Sequence, residues 1–173
     1  MVIDTLNRRS FLTVATGFAL PFAGYHQTHE KQPFLFVSSQ KQADGNHAVV
    51  AVDEGGAIKF QEILPGRGHD TAISPDRKTG IIFARRPGRF AVVIDLCRQK
   101  QVFAFEASAN RHFYGHGFFS SDGRLLFASE NDFENDLGVI GIYSVGNAYK
   151  RIGEFETKGI GPHQILLKSD KNF

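Results

Sequence analysis

The sequence has one cysteine, one methionine and no tryptophan. A lone thiol excludes an internal disulfide and any multi-cysteine zinc or iron–sulfur site, and it leaves the redox compartment unread. No base or cation set lies near Cys97 in the sequence, so it reads as a small buried hydrophobe at a strand end. An excess of one charge is also missing. The 20 Lys and Arg against 18 Asp and Glu leave a formal +2, too little for the footprint of a nucleic-acid or anionic-membrane binder despite a pI near 8.7. No phosphate loop, dinucleotide fingerprint or Gly-x-Ser-x-Gly elbow occurs, so nucleotide-dependent and serine-hydrolase chemistry has no motif behind it. No catalytic constellation stands out.

What is present describes a folded, strand-rich chain. At 173 residues, 42% hydrophobic and 22% charged, it is the size and composition of one globular domain. The 18 Gly and 17 Phe point to short aromatic-rich strands joined by turns rather than to a helical bundle. At the N-terminus, Asn7-Arg8-Arg9-Ser10-Phe11-Leu12 precedes an apolar stretch from Phe11 to about Ala23, shorter than the ~20 residues of a bilayer span. This reads as a signal peptide over residues 1–24. Arg8, Arg9, Phe11 and Leu12 resemble the twin-arginine export signal, with Asn7 and Thr13 departing from its usual first and last positions. The implied partner is the twin-arginine translocase and the implied address periplasmic, with no stable span in the mature chain.

A repeat organises the remainder. His69, His116 and His163 recur at a constant interval of 47 residues, each leading to a turn: Ser74-Pro75-Asp76, Ser121-Asp122-Gly123 and Ser169-Asp170. After the first two turns come matching apolar runs, Gly80–Ala84 with Arg124–Ala128, Phe90–Asp95 with Gly138–Tyr143, and Gln101–Phe105 with Tyr149–Phe155. Four strands in a 40–50-residue period is the signature of a β-propeller blade, a sheet that must stack on its neighbours to cover both faces. Dense Ile, Val and Phe suit strands buried on both sides. Ahead of the first full unit, Phe34–Val37, His47–Asp53 and Ala57–Phe60 supply three strands without an innermost partner, and Gln164–Leu167 reads as the first strand of another unit. The expectation is an all-β, partial β-propeller over residues 31–173, about three four-stranded blades where closed rings have four to eight. It reads as the N-terminal part of a longer ring, expected to be seven-bladed. Self-assembly of copies into a ring is the alternative.

Arg111-His112-Phe113-Tyr114-Gly115-His116-Gly117-Phe118-Phe119-Ser120, followed by Asp122–Asp132, resembles the signature of the domain-of-unknown-function 1513 family. Arg67-Gly68-His69, Phe83–Gly88, Gly138–Tyr143, Arg151–Phe155 and Gly159–His163 add to the likeness. The resemblance implies a twin-arginine-exported propeller-class protein of unknown biochemistry, about twice this length and often associated with iron-uptake gene clusters. It carries over no catalytic residue.

Three sets of side chains are candidate sites. His69, His116 and His163 open the inner strands and face one axis, where a ring of imidazoles could hold zinc, iron or copper. Metal–nitrogen bonds of about 2.1 Å need ring nitrogens ~3–4 Å apart, while sheets pack about 10 Å apart, so convergence requires the axis. The structural alternative is one corner hydrogen bond repeated in each blade. Arg85, Arg86, Arg111 and His112 lie near strand ends and could grip an anionic ligand; a solvated turn, and an inter-blade bond for Arg111, are the alternatives. Glu130, Asp132, Glu134 and Asp136 are spaced for a hard cation but lack the Gly and Glu of an EF-hand, and read as a solvated acidic loop. The function expected is a periplasmic binding or scaffold protein for an unknown protein or small ligand, or else a metal or redox protein of iron uptake.

Overall fold

The computed structural model describes residues 36–168. The residues of the expected export signal, Arg8, Arg9, Phe11 and Leu12, and of the expected turn at Ser169-Asp170, lie outside them. Eleven strands follow in order: β1 (Phe36–Lys41), β2 (His47–Val52), β3 (Ile58–Leu64), β4 (Gly68–Ile73), β5 (Thr79–Ala84), β6 (Phe90–Asp95), β7 (Lys100–Glu106), β8 (Arg111–Phe119), β9 (Leu125–Asp132), β10 (Leu137–Ser144) and β11 (Lys150–Glu156). They form three antiparallel meanders, β1-β2-β3, β4-β5-β6-β7 and β8-β9-β10-β11. The chain is all-β, with the blade pattern of a partial propeller.

Local chemistry sets the turns. Ser74 Oγ donates to Asp76 Oδ1 at 2.6 Å and accepts the Thr79 N–H at 3.0 Å. One repeat later, Ser120 Oγ donates to Asp122 Oδ1 at 2.6 Å and accepts the Leu125 N–H at 3.0 Å. These hydroxyls and carboxylates close the loop locally where a longer side chain could not reach. The serine equivalent to Ser74 is therefore Ser120, not the expected Ser121. The turn repeats one residue sooner than the histidines because the inner strands are bulged differently.

The two full meanders show why each unit needs neighbours. Adjacent side chains point to opposite faces of a strand, and here both faces are covered. Ile81, Phe83, Ala91 and Val93 pack with Phe113, Phe119, Leu126 and Tyr143 in one core. Ile82, Val92 and Ile94 pack with Val49, Ala51, Phe60 and Leu64 in a second. The β4–β7 sheet is thus sandwiched, and each fully buried Ile or Phe contributes about 1.5–3 kcal/mol. Phe105 stacks on Tyr149 at 5.0 Å, sealing the outer part of the first core.

Beyond that serine, the fold departs from expectation at three further points. Gln164–Leu167 forms no strand, and Leu166 is 79% exposed; among the described residues no strand lies alongside to complete its hydrogen bonds. β9 runs on to Asp132, carrying Glu130 and Asp132 into buried positions instead of a solvated acidic loop, so the exposed acids begin only at Glu134. Cys97 is exposed in the turn after β6, with its N–H donated to Asp95 Oδ1 at 3.0 Å. That turn needs the backbone bond and gives the thiol no apolar surroundings. Among the described residues, no helix is long and apolar enough to cross a membrane.

Candidate functional site

Both histidine-bearing inner strands break their ladder where the histidine sits. The β4–β5 register shifts between Gly68 and Thr71, and the β8–β9 register between Phe113 and Gly117. A bulge re-aims the side chains it contains, here His69 and His116. Gly115, at φ +95°, sits inside the second bulge, and a Cβ there would overlap the His69 ring. Glycine at this point lets β8 approach His69 closely.

The result is a trio of imidazoles. Ring centroids are 4.8 Å apart for His69 and His116, 4.5 Å for His116 and His163, and 5.7 Å for His69 and His163. One ring nitrogen from each lies within 4.8 Å of the others. That is far inside the ~10 Å sheet spacing, so the bulges achieve the convergence that flat inner strands would not. A buried serine between them, Ser129, has its hydroxyl 3.1 Å from the His116 carbonyl and 3.3 Å from the His163 carbonyl. It ties the backbone of the third histidine, which has no strand of its own, to the second.

His116 Nδ1 lies 2.9 Å from Asp70 Oδ2. Donation of Nδ1–H to that carboxylate fixes the tautomer and leaves the Nε2 lone pair free. Nε2 is buried and has no hydrogen-bond partner among the described residues. Burial, then the neighbouring His116, Arg85 and His163, hold His69 below the ordinary imidazole value, against the opposing pull of Asp70. A neutral imidazole is the ligand-competent form. Three ring nitrogens this close, with one ring oriented by a carboxylate, are of the type and spacing that could hold a metal ion.

The second candidate set is dispersed. Arg111 is 8% exposed, and its guanidinium bonds to Asp132 at 2.8 Å and Glu154 at 2.9 Å. Its donors are engaged within its own sheet rather than between blades. Arg86 donates to the Tyr114 hydroxyl at 3.0 Å and lies over that ring. His112 is stacked between Tyr114 and Phe133, at centroid distances of 5.5 and 5.8 Å, and burial followed by the Arg86 charge lowers its pKa. Arg85 is exposed beside His69.

Asp70 and Gly115 escaped sequence reasoning. The signal for Asp70 was a departure from the repeat: the residue after the histidine is Asp70 in one unit, Gly117 and Gln164 in the others. Gly115 carried no comparable mark, because its role depends on a ring from another sheet.

Stacked four-stranded meanders, with two histidines on bulged inner strands and a third beside them on an irregular segment, define a propeller-class domain with an imidazole cluster. Residues 62–173 match the family described as Protein of unknown function (DUF1513), and the chain belongs to that family. Among solved structures, Kuenenia stuttgartiensis hydrazine synthase is similar, at 18% sequence identity and a TM-score of 0.57, over 82% of this chain and 42% of that one. The chain thus spans less than half of that protein's length, and the likeness is one of fold. No curated protein matches the sequence.

Proposed function

We propose that this domain binds a transition-metal ion through His69, His116 and His163, in a protein exported to the periplasm by the twin-arginine translocase. The observation that carries the metal reading is the close approach of three ring nitrogens, within 4.8 Å, one of them buried without a partner. A tetrahedral ion needs ligand nitrogens ~3.4 Å apart, a closure that side-chain rotation supplies. Zinc, iron(II) and copper(II) all accept imidazole. Export is supported by Arg8, Arg9, Phe11 and Leu12 and suits a protein that folds around its ion before translocation. The competing reading is a scaffold or binding module in which the histidines serve only as corner hydrogen bonds.

Titration of chelator-treated protein with Co²⁺ and Zn²⁺, followed by visible absorption and calorimetry, separates the two. About one equivalent should bind, with about 100-fold or more loss of affinity in His116→Ala. Asp70→Asn should cost about 10–100-fold through loss of ring orientation. Uptake below about a tenth of an equivalent, indifferent to His116→Ala, would favour the scaffold.

A further inference from the structure

We draw no further inference here: the strongest candidate, the cleft of about 230 Å³ between the β4–β5 and β8–β9 turns that Asp76, Asp122 and Tyr149 line, rests on two aspartates already engaged by Ser74, Ser120 and Arg124 within their own turns, with no second feature among the described residues that points to a ligand.

Discussion

Glu130 has no exposed surface, yet it is a carboxylate in the middle of a sheet. Burial pushes its pKa up, while the Tyr143 hydroxyl it accepts and the Arg151 guanidinium 3.0 Å away pull the other way. Gly141 makes room, since a Cβ there would overlap the carboxylate. Its neighbour Glu154 is held below the usual carboxylate range, first by Arg111 and also by Arg151. The signs differ. Glu154, lowered from 4.5, contributes stability in full above that pH and loses it as pH falls through its folded value. Glu130, raised, favours the fold at low pH and weighs against it as pH rises. Asp53, Asp76, Asp122 and Asp132 accept hydrogen bonds in turns and share the sign of Glu154. Urea midpoints of the parent should therefore drop as pH falls below about 4.5, and Glu154→Gln should shrink that drop without removing it. An acid limb as steep in Glu154→Gln as in the parent would show that the Arg111 and Arg151 bonds carry no pH-linked stability.

Strands that look alike in sequence are made to differ by their bulges. β4 and β8 share the Gly-His element, but their register shifts span Gly68 to Thr71 in one and Phe113 to Gly117 in the other. Within the second, Gly115→Ala would place a methyl group in the His69 ring and force a side chain into the left-handed region. We expect a loss of about 1–3 kcal/mol from the strained backbone and displacement of His69 from the trio. The check is a thermal melt paired with cobalt titration, using Gly146→Ala as control because a Cβ there meets nothing within 4 Å. Unaltered cobalt binding in Gly115→Ala would mean that His69 is not a ligand. Turn chemistry, by contrast, was legible: Ser74-Pro75-Asp76 closes through its own side chains.

Across the whole described domain, burial is concentrated in the middle strands. β2, β5, β6 and β10 are almost wholly buried, while β1, β7 and β11 are largely exposed. Native-state hydrogen exchange should follow this order, slowest in β5 and β6, which have covered faces and paired edges, and fastest in β1 and β11. Uniform protection across all eleven strands would contradict the stacked-sheet account. The period of 47, the apolar runs and the serine–aspartate turns were enough to read four strands per unit from the chain alone, because strand alternation and turn propensity are local properties. The same reading erred on Gln164–Leu167, whose apolar residues have no described partner strand, and on Glu130 and Asp132, whose charges are carried indoors by arginines 21 residues or more away in sequence. Three histidines at equal spacing were likewise visible, but whether their nitrogens meet was not. That depended on two bulges, one glycine and the Asp70 carboxylate from another sheet, and distances between sheets are fixed only when the sheets pack.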